Sequence, residues 1–283
     1  MKRAPTQKDW LPLSRPGKTA QEVPTGEAFR PAWIDFEKGI RVGNLEPHER
    51  ITQILKYRLE QEYGTGFVTD RWGRGVYWQW ICWVPRADRE AKPISSGINF
   101  GCAKFFISQD RDEKIFQSGM TVERGWAAGT PPFPGIRMKS DWDWNRLMKS
   151  CTKGSPLDEE LRRLVCREGF TVSVTGAKGT ARFTAANFRD TPQLRAAAEK
   201  APPREWAGFS LYYPMPEAEL MTCSGYELVQ AICGVFSEVT PAMNQCMQVT
   251  LAPRSARISV DGRFLQEERQ HDARHGKGKN NKK

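Results

Sequence analysis

The chain has 283 residues, 39% of them hydrophobic and 11% aromatic, enough to bury a sizeable core in one large domain or two modest ones. No apolar run approaches the ~18 residues of a membrane-spanning helix, and the opening MKRAPTQKDWLPLSRPGK lacks the apolar stretch of a secretory signal. Composition therefore predicts a cytoplasmic protein with no membrane partner.

The formal charge is +10, and +8 of it sits at the two ends. Lys2, Arg3, Lys8, Arg15 and Lys18 face only Asp9 in the first twenty residues, and Arg274, Lys277, Lys279, Lys282 and Lys283 face only Asp272 in the last thirteen. Basic ends on a near-neutral body point to a polyanion partner, a nucleic acid or a nucleoprotein assembly, touched without sequence preference. The seven cysteines are scattered singly with no C-x-x-C pair, the pattern of reduced, buried thiols. His48 is the only histidine outside the C-terminal tail, so no metal site is expected, and no motif names a cofactor.

Residues 1–46 carry Pro5, Pro12, Pro16, Pro24 and Pro31 between isolated Trp and Phe residues. Such a segment makes neither a continuous helix nor a central strand. It reads as an extended arm whose rings anchor it across the protein's own body or on a protein partner. Pro47–Tyr63 follows as a helix, with Pro47 at its first position, Gly64 past its end and Ile51, Ile54, Leu55 and Leu59 on one stripe. Strands are predicted at Val76–Val84, Ile98–Ser108 and Lys114–Arg124, the last two joined by a turn over 109–113. Together with the helix they form a lobe over 47–126.

The Gly/Pro-rich stretch 127–139 separates this lobe from a second one, 140–270, of mixed helices and hairpins. Ser140 with Asp143, Ser155-Pro156 and Thr191-Pro192 each open a helix, and Phe170–Thr175 and Thr180–Ala185 flank GAKG as a hairpin. A strand is expected at Phe209–Tyr213, and a helix to about Val239 behind the capping box Ser224-Gly225-Tyr226-Glu227. A last strand is read at Ala256–Phe264, before a tail over 271–283 that can bury nothing. The fold class is α+β with an antiparallel sheet.

Two clusters carry candidate chemistry. Trp78 and Trp80 stand two positions apart on one strand, about 7 Å along it, a spacing at which successive bases stack, and Arg71, Arg74 and Arg86 flank that strand. Aromatic rings beside arginines hold single-stranded nucleic acid through stacking and phosphate pairing; burial in the core is the competing account of the tryptophans. Asp110, Asp112 and Lys114, with Glu123 on the following strand, are the residue types a metal-dependent nuclease would use. A solvated turn is the ordinary account of the 110–114 charges, and Glu123, inside an apolar strand, needs a partner, for which structural pairing is the ordinary account. Walker, dinucleotide-binding and nucleophile-elbow patterns are absent.

Overall fold

The computed structural model describes residues 24–92, 101–124, 142–176, 179–202 and 205–254. The first twenty-three residues, the 127–139 stretch, the strand read at 256–264 and the basic tail, with Arg274, Lys277, Lys279, Lys282 and Lys283, lie outside the described residues.

The described chain is α+β, with seven α-helices and one antiparallel sheet of nine strands. The arm does not stand apart from the body once it reaches residue 24. Strands β1 (Ile34–Asp35) and β2 (Gly39–Arg41) pair with each other, and β2 pairs with the start of β4 (Tyr77–Pro85). Phe29, Ile34, Phe36 and Ile40 are all buried, so the rings of this part of the arm anchor it in its own core. Pro47 opens a 3-10 turn, and helix α1 (Ile51–Tyr63) then runs to Gly64, whose positive φ ends it.

Strand β3 (Phe67–Arg74), unread in the sequence, pairs along its whole length with β4. Next come the short α2 (Arg86–Glu90), β5 (Lys104–Asp110) and β6 (Ile115–Arg124). Beyond residue 141 lie α3 (Asp143–Ser150), α4 (Pro156–Cys166), the hairpin β7 (Thr171–Gly176) and β8 (Gly179–Phe183), α5 (Thr191–Glu199), β9 (Ala207–Pro216), α6 (Glu217–Leu220) and α7 (Gly225–Asn244). Strand β9 pairs with both β6 and β7, so strands from both sides of the 127–139 stretch share one sheet in the order β1-β2-β4-β5-β6-β9-β7-β8, with β3 on the other side of β4.

Alternation along the strands divides the sheet's two faces. Ile81 and Trp83, Phe105 and Ile107, Met120 and Val122, Phe209 and Leu211, and Val172 and Val174 enter one large core with the apolar stripes of α1, α4 and α7. The intervening positions carry a smaller cluster of Cys82, Val84, Cys102, Phe106 and Tyr212, with Trp80 packed against it. That second face also holds the polar side chains of the central strands, Lys104, Thr121, Glu123, Ser173 and Ser210 among them. Gly119 of β6 leaves no room for a side chain beside β9: a Cβ there would stand 2.0 Å from the Leu211 carbonyl oxygen.

Helix α7 starts on the expected capping box, Ser224 accepting from the Glu227 amide and Glu227 accepting from the Ser224 amide. It runs past Pro241 to Asn244 because Ala242 and Met243 belong to the core, burial outweighing the one backbone bond that proline removes. No helix among the described residues is long and apolar enough to cross a membrane.

Candidate nucleic-acid interface

The tryptophans of β4 do not share a face. Trp72 is opposite Trp80 and Gly73 is opposite Trp78, which leaves Gln79 as an extra residue in β4, a β-bulge. One extra residue reverses the alternation. Trp78 therefore turns into the main core, 6% exposed, while Trp80 joins the small cluster on the other face. The expected Trp78–Trp80 stacking pair is not formed. Gly73 makes the bulge possible: its φ of +154° suits glycine, and a Cβ there would stand 2.5 Å from the Trp78 Cα.

A different pair comes together in the unbroken register next to the bulge. Trp72, 69% exposed, is the cross-strand neighbour of half-buried Trp80, and directly opposed side chains have Cβ atoms about 5 Å apart. Around this corner of the sheet, the Arg71 guanidinium lies 3.5 Å from the Trp78 ring centroid and the Lys38 ammonium 6.0 Å from that of Tyr77. Burial lowers the pKa of Arg71, which remains charged at neutral pH. Arg74 ends β3 opposite Tyr77. Arg86 is exposed at the far end of β4, eight residues from Trp78 and so about 26 Å along the strand. It is thus far along the sheet from Arg71 and from the end of β3 at position 74.

The four residues considered for metal chemistry are likewise separated. Asp110 is paired with Ile115 at one end of the β5–β6 hairpin, and Glu123 is eight residues further along β6, about 26 Å away. Arg182 of β8 reaches Asp110 at 2.8 Å and also Glu113, Lys114 reaches Glu217 at 3.2 Å, and Asp112 is exposed. Glu123 holds the buried ammonium of Lys104 with Oε2 and accepts from the Trp206 indole at 3.3 Å with Oε1. Burial drives the Lys104 pKa down, but the attraction of Glu123 and neighbouring groups outweighs it, and the net direction is up. The lysine is therefore charged and its carboxylate engaged. No group of three or more His, Cys, Asp or Glu side chains among the described residues is placed to hold a metal ion.

The two residues that complete this picture, Trp72 and Lys104, were not singled out from the sequence. Trp72 sits between Arg71 and Gly73 in a stretch whose glycines and charges hide its strand. Lys104 is flanked by Ala103 and Phe105, and a lysine inside an apolar run is the same signal that drew attention to Glu123. Comparison with known proteins adds no bearing: no family model, no curated protein and no solved structure matches this chain.

Proposed function

We propose that the protein binds single-stranded nucleic acid, alone or within a nucleoprotein assembly, through the face of the sheet that carries Trp72 and Trp80. The observation behind this reading is the 69% exposure of the Trp72 side chain directly across the ladder from Trp80. A large ring left in water offers an open π-face, beside the half-buried Trp80 ring whose centroid the Lys104 ammonium approaches at 5.4 Å, and base stacking on such a ring is tolerant of sequence. Asp70 lies on the same face two residues from Trp72, so phosphate contacts fall mainly to basic groups outside the platform, the two cationic ends first among them.

The test is fluorescence anisotropy of a labelled single-stranded oligonucleotide, DNA and RNA in turn, with wild type and Trp72→Ala. Stacking is worth about 1–3 kcal/mol per base, so the variant should lose roughly 5- to 150-fold in affinity at constant salt. Trp72 is exposed, so its folding stability should stay within about 0.5 kcal/mol of wild type. Deleting 271–283 should instead weaken binding to all sequences and flatten its salt dependence. Equal affinity of Trp72→Ala and wild type, or no binding by wild type at low salt, overturns the reading.

A further inference from the structure

Where α2, α3, the entry to β5 and the segment after α7 meet, one lysine is closed in with two aspartates. Lys92 Nζ lies 2.6 Å from Asp88 Oδ2 and 2.9 Å from Asp143 Oδ1, and the side chains are 4%, 0% and 0% exposed. Each carboxylate also ties in a backbone segment remote in sequence. Asp88 Oδ1 accepts from the amides of Gln248 and Val249 at 2.9 and 3.0 Å, and Asp143 Oδ2 accepts from the Ala103 amide at 2.7 Å. The fourth oxygen, Asp143 Oδ1, is buried with no hydrogen bond of acceptable geometry.

Two ionised carboxylates against one ammonium would leave a net negative charge sealed from water, at a cost of several kcal/mol. A proton on Asp143 Oδ1 removes that charge and makes this oxygen, which has the Lys92 ammonium beside it but no hydrogen bond, a donor to Asp88. We propose that Lys92, Asp88 and a protonated Asp143 form a pH-sensitive latch, in which loss of the Asp143 proton at alkaline pH loosens the junction of α2, α3, the start of β5 and the 248–249 segment.

The other groups around the set leave Asp143 as the one that titrates near neutrality. Burial, then the repulsion of Asp88, moves its carboxyl up to about 8. Burial pushes the Cys102 thiol up to about 11 and the Cys246 thiol well above its ordinary value, so both stay neutral. For Lys92, burial acts to lower the pKa and the two carboxylates outweigh it, so the ammonium is retained. Lys104, further along β5, is held charged by Glu123.

Between the ordinary carboxyl pKa of about 4 and the folded value of about 8, the native state keeps a proton that the unfolded chain has released. Stability from this site is thus complete below about pH 4, falls as pH rises and is fully lost above about pH 8, with the unfolding constant rising up to about tenfold per pH unit in between. Asp143→Asn retains a donor toward Asp88 and an acceptor for Ala103 but carries no proton to lose. Urea unfolding from pH 5 to 9.5 should therefore give the variant a pH dependence shallower than wild type by about one proton. Infrared difference spectra of wild type between pH 6 and 9.5 should show loss of a protonated carboxylic acid carbonyl band, and backbone hydrogen exchange at Ala103, Gln248 and Val249 should rise beyond its intrinsic pH dependence. If Asp143→Asn does not fold, the wild-type spectrum decides. Absence of the acid band at pH 6, or equal pH dependence in the two proteins, overturns the latch.

Discussion

Replacing Glu123 with glutamine removes one charge from the β6 side of the Lys104 pair and leaves the side chain's length and the Trp206 acceptor in place. Lys104 is 1% exposed, and without the facing carboxylate its ammonium has to be desolvated against a neutral amide. Breaking a buried pair by removing one partner costs about 3–5 kcal/mol, and the residual 17% exposure of the Glu123 side chain places this case at the low end, about 3 kcal/mol. Deprotonation of the lysine sets a ceiling, since about 1.36 kcal/mol for each pH unit between 7 and its ordinary pKa of about 10.4 comes to roughly 5 kcal/mol. Urea unfolding should register that loss, and thermal unfolding should show Tm lower by roughly 6–12 °C. The pH dependence is the sharper readout. In wild type the folded Lys104 pKa is raised, so its stabilisation is complete below about pH 10 and fades only above it. In Glu123→Gln the folded pKa drops below the unfolded one, so stability should instead climb with pH from near neutrality toward 10. Lys104→Met should be milder, about 1–2 kcal/mol, because a partly exposed Glu123 can be hydrated. A Glu123→Gln protein within 0.5 kcal/mol of wild type, with the same pH profile, would refute the pairing as the reason for a carboxylate in this strand.

Two structural predictions accompany those for Trp72 and Asp143. Gly119→Ala forces a methyl against the Leu211 carbonyl oxygen and the Tyr212 Cα, both backbone of the neighbouring central strand, so the β6–β9 ladder has to part. A loss above about 3 kcal/mol, or no soluble folded protein, is expected in denaturant unfolding, and a fully stable variant would mean that the two strands are less tightly apposed. Ser224→Ala removes the side-chain acceptor for the Glu227 amide at the start of the 20-residue helix α7. Thermal unfolding should report about 1 kcal/mol, with Ser224→Gly closer to wild type.

What could be read from the sequence was local punctuation. Gly64 closes α1, Ser155 caps α4 through the Asp158 amide, and the Ser224–Glu227 box starts α7, because each is a contact between residues three or four apart. The ladder was not legible in the same way. That β9 inserts between β6 and β7 is a matter of non-local pairing, between residues such as Phe209 and Val122 that no short-range pattern links. The Lys92 set is a more extreme case: Asp88 and Val249 are 161 positions apart, and Asp143 read only as the first turn of a helix. Its signal was three charged residues, each ordinary in its own neighbourhood.

The candidate interface depends on parity, and parity is where strand reading is least robust. Alternation from Val76 to Val84 puts Trp78 and Trp80 on one face only if every residue of the strand is paired. Glycine at position 73 allows β3 to approach the Trp78 backbone, Gln79 is left unpaired, and everything before it changes sides. Its amide reaches the Lys38 carbonyl at 3.2 Å, which ties the bulge to the turn between β1 and β2. The bulge places Trp78 against Ile40's strand, where the arm from residue 24 closes the core, while Trp80, in the unbroken register, faces Trp72 on the other side. Trp78 is thereby committed to the core while Trp72 stays in water, so Trp78→Ala should be judged by unfolding and Trp72→Ala by binding.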